Sequence, residues 1–230
     1  MKLFKILLTS LLVALPFLAK AEIAEVYSWK VNPGEGEAMI ASMVKAASIQ
    51  RALGATVTIN QMDVGSQNQI DYVLRVDDAT TWGKFRDALQ ANPEWNEFWA
   101  EVGKNPSGTL ETSFAAINLD ATEKASNFPN SGVYGVWVWD VAPGKLPEIL
   151  GNFAKAKVIH EKLGARIEYY SEGLGLPNTL HYVAFFDDWS GMANFLNNAS
   201  TSEELLSFQA STDPNSATLV RQLTGRTLPL

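Results

Sequence analysis

The sequence predicts an α+β chain in which two βαββαβ units close on each other as a barrel wrapped in helices. The chain repeats itself at a spacing of 110: residues 24–100 align with 134–210 without a gap, and 21 of 77 positions are identical. Composition alone gives about one match in sixteen, so the likeness is an internal duplication. Each copy also alternates short β-branched or aromatic runs with segments of helical period, in one shared order. A βαββαβ unit carries both helices on one face of its sheet and leaves the other bare. A bare sheet this apolar needs a cover, and the second copy supplies it.

The first 21 residues stand outside this scheme. Lys2 and Lys5 form a basic start, residues 6–18 are apolar around Pro16, and Ala19-Lys20-Ala21 is a small-x-small cleavage signal. The run is shorter than the ~20 residues a membrane span needs. It reads as a secretory signal cut before Glu22, which places the protein in the periplasm or outside the cell, with no membrane insertion after cleavage. Losing Lys2, Lys5 and Lys20 takes the formal charge from −7 to −10. Such a surface repels nucleic-acid phosphates and anionic lipid, which excludes both as partners. The chain has no cysteine, so an exported form rests on its core rather than on disulfides.

From residue 22 the elements follow in order. The run "AEVYSWKV" is a strand that ends at Pro33-Gly34, a turn pair. Residues 35–53 place Met39, Met43, Ala46 and Leu53 at helical spacing, and Gly54 stops the helix. "ATVTIN" and "IDYVLRV" alternate as half-buried strands. Asp77 or Asp78 caps the next helix, and "NPEWNEFWAEV" adds a further turn or two with Trp95, Phe98, Trp99 and Val102 on one side. "GTLETSFAAINL" closes the unit. The first repeat thus spans 22–119, a polar linker 120–132, and the second repeat 133–230, where correspondence fades near "SATLVRQLTGRTL".

The Pro-Gly turn after the first strand, the long helix and the segment "WGKFRDALQANPEWNEFW" resemble the dimeric α/β-barrel superfamily, whose units are ferredoxin-like. Within it the likeness is to NIPSNAP-type and antibiotic-biosynthesis-monooxygenase-like domains, through Asn92-Pro93-Glu94-Trp95. The resemblance implies a pseudo-dimeric barrel built by one chain. It also implies a range of activities: cofactor-free oxygenases, haem-degrading and peroxidase-like proteins, isomerases, cyclases, and domains without chemistry. No catalytic motif of the family transfers to a position here.

Strand parity sorts the candidate site residues, because alternate side chains point to opposite faces. Ile70, Tyr72, Leu74 and Val76, with Leu180, Tyr182, Ala184 and Phe186, suit the helices. The lumen then receives Asp71, Val73 and Arg75 from one copy and His181, Val183 and Phe185 from the other. The second strands send Thr56, Thr58 and Asn60 inward, against Arg166, Glu168 and Tyr170. Buried charges need partners, so Asp71 with Arg75 and Arg166 with Glu168 are expected as pairs, or as ligand sites. Asp71, Arg75, Asn60, Arg166, Glu168 and Tyr170 are therefore the ligand-binding candidates. His181 is the catalytic candidate, since imidazole moves protons near neutrality.

His160 shares a helix stripe with Ile149, Phe153, Ala156 and Leu163. Haem-binding relatives hold iron from such a histidine, yet the equivalent position in the first copy is Gln50. No metal site is expected, because two histidines without cysteine give no ligand spacing. The sequence thus predicts an exported, cofactor-free barrel, monomeric through an internal pseudo-two-fold, that binds a small organic molecule in an asymmetric polar and aromatic lumen. The alternatives are an oxygenase, isomerase or cyclase with His181 as base and Arg75 or Arg166 holding an anion, and an inert interaction module.

Overall fold

Two stretches of identical element order build the protein. The computed structural model describes residues 20–128 and 130–229. Most of the segment read as an export signal lies outside the described residues, but Ala21 is described and fully buried. The first stretch contains β1 (Ile23–Val31), α1 (Gly36–Ala52), β2 (Thr56–Met62), β3 (Gln69–Val76), α2 (Ala79–Ala91), α3 (Pro93–Val102) and β4 (Gly108–Asn118). The second contains β5 (Val133–Val141), α4 (Leu146–Lys162), β6 (Arg166–Leu174), β7 (Thr179–Phe186), α5 (Trp189–Thr201), α6 (Glu203–Ala210) and β8 (Ala217–Thr227).

Local chemistry sets the boundaries. Asp78 accepts from the Thr81 amide at 2.7 Å and Asp188 from the Gly191 amide at 2.7 Å, capping α2 and α5. Asn92 and Ser202 cap α3 and α6 in the same way. The backbone turns left-handed at Gly34, Gly54, Gly65 and Asn68, and again at Gly144, Gly164, Gly175 and Asn178, each 110 residues on. Gly65 has no alternative: a Cβ there would overlap the Gln222 carbonyl oxygen.

All eight described strands form one closed antiparallel barrel in the order β1-β3-β2-β8-β5-β7-β6-β4. Sequence reading had the two sheets cover one another face to face. They also join edge to edge. Asn60, Gln61 and Met62 of β2 pair with Thr227, Arg226 and Gly225 of β8, and Ala115 to Asn118 of β4 pair with Leu174 to Tyr170 of β6. Each seam gives backbone donors and acceptors partners that an open edge lacks.

Alternation then makes two cores. Outward-facing Ile59, Leu74, Ile167 and Leu180 are wholly buried beneath the helices, each contributing about 1.5–3 kcal/mol. Inward-facing Ala24, Val73, Ala116, Tyr134, Val183 and Leu223 pack inside the barrel. The fading of the repeat at its end has a simple cause. Val26 pairs with Phe114, and Val136 with Leu223, so β4 and β8 correspond at a spacing of 109. One residue is missing before β8, and a fixed spacing of 110 sets every later side chain on the wrong face.

Candidate functional site in the barrel lumen

The barrel encloses a cavity of about 120 Å³. Its apolar wall comes from Val26, Val73, Phe114, Val136, Val183 and Leu223, and its polar groups from Asn60, Asp71, Arg75, Tyr170, His181 and Arg221. Four of the six ligand-binding candidates line it (Asn60, Asp71, Arg75 and Tyr170), together with the catalytic candidate His181. Arg166 and Glu168 do not. Arg166 lies against Phe128, whose ring is met by the Arg75 guanidinium at 4.3 Å and by that of Arg166 at 5.1 Å. Phe128 follows the 3₁₀ turn Ala125–Asn127 and is buried against Phe185 at 6.0 Å. The segment read as a linker thus lays an aromatic plug in the lumen wall.

The charged groups pair differently from the sequence expectation. Arg75 does not pair with Asp71. Its Nε lies 3.3 Å from Oε1 of Glu22, and its Nη1 donates to Thr58 at 3.3 Å. Glu22 and Glu168 both accept from Asn118 Nδ2, at 3.2 and 3.3 Å. Burial pushes the Glu22 carboxyl up to about 7, against the pull of Arg75. Glu22 Oε1, Arg75 Nε and the Tyr170 hydroxyl have no hydrogen-bond partner among the described residues. Arg75 Nε is set against Glu22 Oε1, and Tyr170 also interacts with the Glu22 carboxyl, so these buried groups serve one another while the Arg75 and Tyr170 side chains line the cavity.

Asp71 instead accepts from Gln69 Nε2 at 2.6 Å, and Gln69 Oε1 accepts from Arg221 at 2.9 Å. Burial raises the Asp71 carboxyl against these bonds and the Arg221 charge. The Arg166–Glu168 pair forms as expected at 3.2 Å, and Arg166 also reaches Glu123 and the Asn127 carbonyl. Asn60 is held by Thr227 at 3.0 Å across the β2·β8 seam.

His181 is buried, with its ring stacked on Phe114 at 4.7 Å and 12°. Its Nε2 lies 2.8 Å from Glu172 Oε1, while Glu172 Oε2 accepts the Leu176 amide at 2.6 Å. An ionised carboxylate only accepts, so in the neutral tautomer that donates from Nε2 to Glu172 the lone pair lies on Nδ1. This is the arrangement that orients an imidazole as a base.

Sequence reasoning missed Glu172, Arg221, Phe128 and Glu22. Glu172 was two positions further along the inward parity of β6 and was within reach of the same logic. Arg221 was hidden by the change of spacing at β8. Phe128 fell in the segment assigned to the linker, and Glu22 stood at the first position of the first repeat, ahead of the residues read as strand.

His160 sits outside the barrel on α4. Its Nδ1 bonds the Tyr182 hydroxyl at 2.8 Å, and its ring packs edge-on to Tyr182 and Phe195. Burial lowers its pKa. The Tyr182 hydroxyl occupies Nδ1, so of the two ring nitrogens only Nε2 could hold iron. Among the described residues no cluster of three His, Cys, Asp or Glu side chains could hold a metal. No described helix is long and apolar enough to cross a membrane.

No family model matches the sequence, and no curated protein matches it significantly. Solved structures share its fold. A provisionally assigned monooxygenase from Fusobacterium nucleatum superposes with a TM-score of 0.61 at 12% identity, over 90% of this chain and 91% of that one. An anthrone oxidase-like protein gives 0.59 at 10%, over 92% and 93%. A chlorite dismutase variant from Candidatus Nitrospira defluvii gives 0.52 at 11%, over 93% of each. These are ferredoxin-like dimeric α/β-barrel proteins, and the likeness defines the fold.

Proposed function

We propose that the protein is an exported barrel of two fused repeats that holds a small, partly apolar organic molecule in its lumen. The lumen cavity carries this reading. An apolar cavity of about 150 Å³ is enough to bind benzene, so a lumen of about 120 Å³ sets a single ring as the upper size of the molecule it takes. Arg75 supplies a positive charge for an oxygen on that ring, and Asp71, Asn60 and Tyr170 supply further polar surface. The spacing of 110 and the eight recurring left-handed positions support fusion of two like units. Fused units satisfy each other's edges, which supports a monomer. The signal-like start supports export, and the Pro-Gly turn with Asn92-Pro93-Glu94-Trp95 keeps the NIPSNAP-like resemblance. The reading uses no cofactor.

Calorimetric titration with phenol and benzoate tests it. The wild-type protein is expected to bind at least one of them. Val183→Phe, which places a ring in the cavity, is expected to abolish the signal while the fold is retained by circular dichroism. Absence of binding by the wild type, together with an intact mass that carries no extra component, refutes the proposal. Cell fractionation checks export: the exported form should have the mass of a chain starting at Glu22.

The His181–Glu172 contact favours a second reading, in which the barrel is an enzyme of the oxygenase, isomerase or cyclase kind. Glu172 fixes Nε2–H, and Nδ1 takes a proton from an activated carbon of the bound ring. The negative charge then left on the substrate oxygen faces Arg75, in place of Arg166, which stands away from the cavity. A turnover screen on phenols with His181→Ala and Glu172→Gln distinguishes the readings. Turnover unchanged in His181→Ala removes the enzyme and leaves the binding protein intact.

A further inference from the structure

A second cavity lies outside the barrel, between the first-half sheet and its helices. It measures about 690 Å³ and is framed by Trp29, Met39, Met43, Trp95, Phe98 and Trp99. Ligand sites run to roughly 300–1,000 Å³ and combine an apolar lining with a few placed polar groups. Here the polar groups are Gln50, at the floor, and Arg86.

The other half shows what closure of such a cleft requires. At the position of Met43 stands Phe153, whose ring meets Tyr182 at 5.0 Å, Tyr169 at 6.0 Å and Trp139 at 6.4 Å. At the position of Gln50 stands His160, which packs on Tyr182 and Phe195. At the position of Arg86 stands Leu196. The same scaffold is therefore filled by rings in one half, while methionine leaves it open in the other. Trp99, half-exposed at 44%, and Leu110 at 41% border the opening. These side chains gain by being covered.

Charge settles the class of occupant. The Arg86 side chain is 48% exposed, and its contacts, to Glu25 at 3.3 Å and the Tyr27 hydroxyl at 3.2 Å, both use Nη1. Glu25 is already held by Trp82 Nε1 and the Tyr27 hydroxyl, each at 2.6 Å. Among the described residues Nε and Nη2 of Arg86 make no hydrogen bond, and Arg86 lines the cleft, so these donors remain for a ligand. Gln50 receives the Tyr72 hydroxyl on its oxygen, which directs its amide donors elsewhere. We propose that this outer cleft is a second ligand site, independent of the lumen, and that it takes a flat aromatic molecule carrying a carboxylate or sulfonate. The aromatic body lies among Trp95, Phe98 and Trp99, and the anion meets Arg86.

Fluorescence titration with 1-anilinonaphthalene-8-sulfonate tests the site on the folded protein. The wild type is expected to bind one equivalent saturably. Arg86→Leu, an exposed change to the other half's residue, should weaken binding about tenfold, the loss of one charge-assisted hydrogen bond. Met43→Phe should abolish it with no loss of melting temperature, and Val183→Phe in the lumen should leave it unchanged. No saturable binding by the wild type, or equal affinity in Arg86→Leu and Met43→Phe, overturns the proposal. A wild-type dimer in sedimentation that Met43→Phe or Arg86→Leu dissociates, without dye binding, also overturns it and assigns the cleft to a second copy.

Discussion

Glu22 offers a direct test of how this barrel handles buried charge. It is fully buried at the β4·β6 seam, 3.3 Å from Arg75 and bonded to Asn118. Burial moves its carboxyl from 4.5 to about 7. In the unfolded chain it titrates near 4.5, so between these values the native state keeps a proton that the unfolded chain has released. Stability from this group is therefore whole below pH 4.5, falls as pH rises to about 7, and is level beyond. At about 1.4 kcal/mol per pH unit, the loss is roughly 3 kcal/mol. Glu22→Gln removes the titration. Urea unfolding of a chain that retains Lys20 and Ala21, at pH 5 and pH 8, measures it. The variant should gain roughly 2–3 kcal/mol on the wild type between the two conditions, the part of the window that pH 5 still leaves. Stability curves that run parallel would refute the reasoning. Arg75→Met is the complementary probe: it should cost more at pH 8, where Glu22 is ionised and loses its counter-ion, than at pH 5.

Other substitutions test the scaffold around the site. Phe128→Ala removes a buried ring held between two guanidinium groups and should cost about 3–5 kcal/mol, with faster hydrogen exchange along β3 and β6. Gly65→Ala forces a Cβ against the Gln222 carbonyl at a left-handed position and should cost about 1–3 kcal/mol, read by urea midpoint. Asp78→Ala and Asp188→Ala each remove a helix cap and should each cost about 1 kcal/mol. The hydrogen bonds that hold Asp78 also lower its pKa, so its contribution should fade in acid.

The order of elements was legible because period and turn chemistry are local. Met39, Met43 and Ala46 announce a helix whatever surrounds them, and Pro33-Gly34 ends a strand by its own geometry. The lumen face was legible for the same reason: Asp71, Arg75 and His181 follow from parity alone. Pairing was not. Arg75 had two acids within the reach of sequence logic, but its partner Glu22 belongs to a seam whose register depends on how two distant strands meet. Glu22 and Asn118 are 96 residues apart and are joined only when β1 and β4 pair. The plug formed by Phe128 was equally invisible, since a polar segment with Pro and Gly reads as linker until its one aromatic ring is seen between Arg75 and Arg166.

The two seams also explain why a barrel of similar halves has a directional interior. The β2·β8 seam is closed by Asn60 with Thr227 and by Gln61 with Arg226, contacts that bury no carboxylate. The β4·β6 seam gathers Glu22, Asn118 and Glu168 out of solvent, and Arg75 and Tyr170 converge on it. Desolvated carboxylates gain most from a cation and a phenol nearby, so Arg75 and Tyr170 stand on that side of the lumen, while Asn60, Asp71 and Arg221 form a second polar group and valines 26, 73, 136 and 183 supply apolar wall. A molecule with one polar end and one apolar end meets different chemistry in its two orientations. On the proposed binding reading its anionic or carbonyl oxygen is expected on the side of the Arg75 charge, because the reverse placement sets that oxygen against valine.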